Sequence, residues 1–257
     1  GALINSSTAA TYAGLITLGS ASSIVGGTGT IALTNTGTIA GSGYALTLGG
    51  ASGGSLASII GTAAGTLTKQ DAGTWTLSGV NTYTGITTIS GGTLSVSAES
   101  NLGATPASIT AASLTLSGGT LLSTGAVTLS STRGVTLTAA SGLAASSGNT
   151  LTVAGIITGG FALGINAAGQ TGTVLLSGAN TYTGLTTVSA GTLKLGSTGA
   201  LGTTANGTTI TSGAVLDLNG QTYTATEALT LNGTGISSGG ALINSSTAAT
   251  YAGLITL

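Results

Sequence analysis

Short runs in which a branched apolar residue alternates with Thr or Ser recur along the chain. Thr74-Trp75-Thr76-Leu77, Thr93-Leu94-Ser95-Val96 and Ser113-Leu114-Thr115-Leu116 are examples, each followed by Gly-, Ser- or Ala-rich punctuation. A period of two over about four residues predicts short strands with one face buried. The runs are evenly placed: Trp75 to Leu94 is 19 positions, Leu94 to Leu114 is 20, and Val174 to Leu193 is 19. A strand pattern that returns about every 20 residues predicts a β-solenoid, each turn resting on the one before. Helical repeats are disfavoured because Gly and Thr oppose helix formation and no 3.6-residue period is present.

Longer repeats lie over this fine one. Gly73–Val96 reads GTWTLSGVNTYTGITTISGGTLSV and Gly172–Leu195 reads GTVLLSGANTYTGLTTVSAGTLKL, an offset of 172 − 73 = 99. Gly1–Leu18, GALINSSTAATYAGLITL, recurs letter for letter as Gly240–Leu257, an offset of 240 − 1 = 239. Eighteen consecutive identities point to a tandem array whose repeating unit has the length of that offset. Residues 1–257 are expected to form a single continuous solenoid segment, a window on that array. At about 20 residues per coil and about 4.8 Å per coil, the unit gives about 12 coils and advances roughly 57 Å, and it is expected to be the axial repeat of a fibre. The window is expected to start and stop inside the repeat, with no capping coil and no signal peptide within it.

Composition agrees with stacked parallel coils. Of 257 residues only 3 are Lys or Arg and 4 are Asp or Glu, while 47 are Gly and 41% are hydrophobic. Disorder goes with low hydrophobicity and high charge, the opposite balance. Outward Thr favours strands and hydrates the surface without stacking like charges at coil spacing. The single Pro, Pro106, fits a chain whose N–H groups are needed in ladders. No apolar run approaches the roughly 18 residues of a membrane-spanning helix, and aromatic residues at 3% are too few for the girdles of a membrane barrel.

The same composition excludes much chemistry. His and Cys are absent, so a Ser-His-Asp triad, a Cys nucleophile and the usual zinc sites are not available. A net charge of −1 gives no electrostatic footprint for nucleic acid. Gly26-Gly27-Thr28-Gly29 is not followed by the Lys-Ser/Thr of a phosphate loop. Asp71 and Glu99 are 28 positions apart and Asp217 and Glu227 are 10 apart; neither spacing requires the facing pair that glycoside hydrolysis needs. These four read as solvated surface carboxylates, and Lys69, Arg133 and Lys194 as isolated cations. Catalytic, cofactor-binding and metal-binding residues are therefore expected to be none. Asn81-Thr82-Tyr83-Thr84-Gly85 and Asn180-Thr181-Tyr182-Thr183-Gly184 read as corners, with Asn tolerating a turn and Tyr laid across the end of a coil. Thr-x-Thr pairs begin at 34, 66, 74, 82, 136, 181 and 222; because these starts miss the coil period, an ice-binding grid is the lesser reading.

The SGVNTYTGITTISGGTLSV and SGANTYTGLTTVSAGTLKL runs resemble the passenger-associated transport repeat of bacterial autotransporters. That resemblance covers Gly73–Val96 and Gly172–Leu195, with departures at Trp75 and Leu175. It implies a right-handed parallel β-helix displayed on a bacterial cell surface, and it carries no catalytic residues. The expected function is a structural repeat of a long extracellular surface protein, a stalk or filament without catalysis. The alternative is a binding module, with an adhesin-type glycan face or an ice-binding face. Expected partners are neighbouring copies of the same repeat joined head to tail, covalently or not, with lateral self-association and cell-surface contacts as further options. Nucleic acid, a membrane span in this window and cofactors are not expected.

Overall fold

A computed structural model describes residues 2–167 and 169–257. Its regular elements are short strands, all paired in parallel, with two short 3-10 segments at Glu99–Leu102 and Ile236–Ser238. The strands stack as a β-solenoid of about 12 turns. Each turn visits three faces in a fixed order. The first face carries an eight-stranded sheet from Leu3–Asn5 to Ile157–Gly159, and later the pair Thr222–Tyr223 and Thr250–Tyr251. The second carries a twelve-stranded sheet from Ala10–Tyr12 to Ile255–Thr256. The third begins as the pair Thr38–Ile39 and Ile59–Ile60 and continues as six strands from Val127–Leu129 to Leu242–Ile243.

Alternation along each strand sends Leu, Ile and Val inward and Thr outward, so register stacks like on like. On the first face Leu3, Ile24 and Leu48 form one inward row, and Ile89, Leu116 and Leu137 continue it. Such stacks run the length of the coil and make one continuous apolar core. Among the described residues no helix is long and apolar enough to cross a membrane.

The coil is longer than the sequence spacing suggests. Following register partners on the second face from Ala10 to Leu231 takes ten steps. The mean is ~22 residues per turn. Trp75 does pair with Leu94, and Val174 with Leu193. Leu94, however, pairs next with Leu121, an offset of 121 − 94 = 27, while Leu114 lies on the first face beside Thr87. The extra length of that coil is the excursion Ser97–Ile109. The apparent spacing of Leu94 and Leu114 thus joined two different faces.

Candidate functional site

The two Asn-Thr-Tyr-Thr-Gly corners are the most distinctive sequences in the chain, and their side chains turn inward. Asn81 is 3% exposed. Its Oδ1 accepts the backbone N–H of Ile60 in the preceding coil at 2.7 Å, and its Nδ2 donates to the carbonyl of Asn101 in the following coil. Asn180 repeats this, accepting from Ile157 at 2.8 Å and donating to Ala200 at 2.6 Å. Each Asn is therefore a clip through three coils, not a residue chosen to tolerate a turn. Two residues on, Tyr83 and Tyr182 are fully buried within the stack. Each phenol shares a 2.7 Å hydrogen bond with the Thr four positions later, Thr87 or Thr186. Burial pushes both phenols above their ordinary range.

The few charged side chains also serve the stack. Arg133 pairs with Glu99 at 3.1 Å and donates to the carbonyls of Leu102, Gly103 and Ala104, which fixes the long excursion to the coil that follows. Lys194 and Asp217 are register neighbours on the third face and pair at 3.3 Å. Burial acts to raise Asp217. Hydrogen bonds from the Ser245 hydroxyl, the Ser245 and Asn219 backbones, and the Lys194 charge outweigh it, so the carboxyl sits below its ordinary range. Lys69 occupies an inward position, beside Leu48 and Ile89, and its ammonium ends on the carbonyls of Gln70, Asp71 and Gly91 at 2.7–2.9 Å. Burial lowers its pKa to about 8 against the raising effect of Asp71. The three cations are thus not isolated.

Nor are all the carboxylates solvated. Asp71 is exposed and Glu99 half-buried, but Asp217 and Glu227 are buried. Glu227 stands four residues after Tyr223, where the two family-like corners have Thr after Tyr. It accepts hydrogen bonds from Thr208 and, at 3.0 Å, from Tyr223. Burial raises its pKa against those bonds. Neighbouring residues in the chain do not signal this burial, although the shared Tyr-to-fourth-residue spacing could have found it. No group of three or more metal-ligating carboxylates forms among the described residues.

One outward feature is invisible to sequence spacing. Thr47, Thr68, Thr88, Thr115, Thr136 and Thr158 are successive register partners on the first face, with Ser23 below them. Six consecutive coils therefore carry an unbroken, half-exposed threonine ladder. Its sequence intervals are 21, 20, 27, 21 and 22, so a search for a constant period cannot see it. The second face has a similar row that Gly142 and Gly164 interrupt. There a shallow groove of about 310 Å³ opens between Thr120 and Thr187.

Residues 67–96 and 170–195 match the Passenger-associated-transport-repeat family. The chain is also 41% identical over 152 residues, 56% of its length, to the adhesin BmaC autotransporter of Brucella suis biovar 1 (strain 1330). It spans about 4% of the length of that curated relative. No solved structure matches. Both segments that match the passenger-associated transport repeat contain the Asn clip and the buried Tyr, so the similarity falls on side chains that join one coil to the next.

Proposed function

We propose that the chain is a structural segment of a bacterial surface protein, a stretch of passenger stalk held outside the cell. One observation carries this reading: Asn81, Tyr83, Asn180 and Tyr182, the shared corner residues of the two segments that match the family, are buried and used in packing and inter-coil hydrogen bonds. A stalk sets the distance between the cell and whatever lies beyond it, and stacked coils of parallel strands meet that need with few charges. Its test is a length measurement on the parent protein at the cell surface. Deleting one 239-residue unit is expected to shorten the projection seen by electron microscopy while leaving it accessible to antibody on intact cells. An unchanged length, or a segment inaccessible from outside, overturns the reading.

A second reading is favoured by the ladder from Thr47 to Thr158. Hydroxyls at even spacing of about 4.8 Å along the stack form a surface suited to ordered water, hence an ice-binding face. Thr88→Leu and Thr115→Leu leave the coil interior untouched. If the face binds ice, the chain shows thermal hysteresis and the two substitutions abolish it. Absence of thermal hysteresis in the unmodified chain removes this reading.

A further inference from the structure

Within the identical segments, Ala2–Leu18 and Ala241–Leu257 do not occupy the same faces. Leu3–Asn5 lies on the first face and pairs with Ser22–Gly26, but its copy, Leu242–Ile243, lies on the third and pairs with Val215–Asp217. Ala10–Tyr12 opens the twelve-stranded sheet of the second face, whereas Thr250–Tyr251 pairs with Thr222–Tyr223 on the first. Eleven steps along the twelve-stranded sheet run from Ala10–Tyr12 to Ile255–Thr256, and Thr250–Tyr251 comes one face before the last strand. The two copies are thus ten and two-thirds coils apart.

The inner repeat behaves the same way. Thr74–Leu77 lies on the second face; four coils later that sheet reaches Leu163–Ile165, and Thr173–Leu176, the repeat of Thr74–Leu77, is one face further on. Its copies are four and one-third coils apart. Neither repeat closes on a whole turn. The three faces all offer inward Leu, Ile and Val and outward Thr, so a repeat measured in faces can begin on any of them.

The two copies of the eighteen-residue segment also show both halves of one junction. Asn5 donates from Nδ2 to Thr8 O at 2.6 Å and forward to Thr30 O in the next coil at 2.8 Å. Asn244 makes the same local bond to Thr247 O at 2.6 Å, and its Oδ1 accepts from Gly220 N–H in the preceding coil at 2.8 Å. Superposed, they make the three-coil clip seen complete at Asn81 and Asn180. Tyr12, Ile4 and Leu15 are exposed by 41, 58 and 55%. In the second copy Tyr251 stacks on Tyr223, with ring centroids 5.6 Å apart, and donates to Glu227 O at 2.9 Å. The coil that covers the Ala2–Leu18 segment is therefore visible elsewhere in the same molecule: it is the one running from Val215 to Leu231.

We propose that consecutive 239-residue units join through this junction, so that each unit is turned by one-third of a coil relative to the last. A surface feature such as the threonine ladder is then presented on three faces in turn. Three units, 32 coils, return it to its starting face. At about 4.8 Å per coil the unit advances about 51 Å and the true axial repeat is about 154 Å. This replaces the expectation that one unit is the axial repeat, and it rests on the tandem stalk reading.

The test uses three units in series, residues 1–239 repeated and closed by 240–257, with a small folded tag inserted at the exposed Ser147–Gly148 turn of each. The expected electron-microscopy image is a straight rod with tags about 51 Å apart along its axis. Each tag is rotated by a third of a circle from the last, apart from any overall twist of the coil. Tags along a single edge overturn the rotation and leave the stalk reading standing. A rod broken at each junction overturns the stalk reading itself. Should the tag disturb folding, Ser147→Cys in each unit, in a chain with no other cysteine, carries a gold particle to the same turn, with the same two decisive outcomes.

Discussion

The two family-like repeats, Gly73–Val96 and Gly172–Leu195, solve the same stacking problem on different faces and with different cores. Asn81 and Asn180 make equivalent clips, and Tyr83 and Tyr182 equivalent hydroxyl bonds. Three positions into the run they part. The first repeat has Trp75, fully buried, with its Nε1 donating to Gly49 O at 2.9 Å. Its register neighbour in the preceding coil is Gly54, which has no side chain to compete for the space. On its other side the glycine backbone lies so close to the coil before it that a Cβ there would meet Ile31 O at 2.2 Å. The second repeat has Val174 at that point, stacked on Leu151 and under Leu193. A large residue over a glycine and a medium one over a leucine fill a coil of the same width. Polar clips are held constant because their geometry is directional, whereas apolar positions need only conserve volume between neighbouring coils.

The greatest loss should separate the two cores. Trp75→Ala is expected to cost about 3–5 kcal/mol, because Gly54 cannot fill the cavity, and Val174→Ala about 1.5–3 kcal/mol. Urea unfolding of both variants measures this, and equal losses would show that the Gly54 space is not used as described. The clips should instead behave alike. Asn81→Ala and Asn180→Ala each strand a buried N–H and a buried carbonyl, at an expected cost of about 2–4 kcal/mol. Four coils apart, roughly 20 Å, the two losses should add in the double variant to within about 0.5 kcal/mol. A clip whose loss costs nothing would break the equivalence of the repeats.

Smaller still are the hydroxyl bonds. Thr87→Val and Thr186→Val keep shape but leave a buried phenol without its partner, and each is expected to cost about 1–2 kcal/mol. The mildest effect concerns Tyr223, whose fourth-following residue is Glu227 in place of Thr. Glu227 titrates above the ordinary glutamate value in the fold, since burial disfavours its charge. The folded state holds that proton more tightly than the unfolded chain. Its contribution to stability is therefore full below the ordinary glutamate value and is lost as pH rises through the folded value. Asp217 lies below its ordinary value, so its contribution is present above that value and is lost as pH falls through the folded one. Thermal melts across the acid range should show Glu227→Gln flattening the first slope and Asp217→Asn the second, and the same sign for both would refute the assignment.

Much of the architecture can be read from the chain because alternation and repetition are local properties. Strands at Thr74–Leu77 and Thr93–Val96, the pairing of Trp75 with Leu94, the parallel coil and the resemblance to the family repeat all follow from residues close together in sequence. The corners are structural, as their sequences suggest, but their detail is not. Asn81 reads as a turn former because its partners, Ile60 and Asn101, lie a full coil away on either side. The threonine ladder and the pairing of Lys194 with Asp217 are hidden for the same reason.

Local pattern alone establishes that this chain coils and which apolar residues of its strands face inward, but not that Lys69, Asn81, Asp217 and Glu227 are buried with them. Period-two alternation and glycine-rich corners are enough for that, since each strand has one apolar face to bury. Which residues meet is settled only in the folded stack. Register partners on the second face are as few as 94 − 75 = 19 and as many as 121 − 94 = 27 positions apart, because the corners absorb length without disturbing the stacked strands. Those unequal lengths accumulate. After ten and two-thirds coils the same eighteen residues arrive on another face, with a different sheet beneath them.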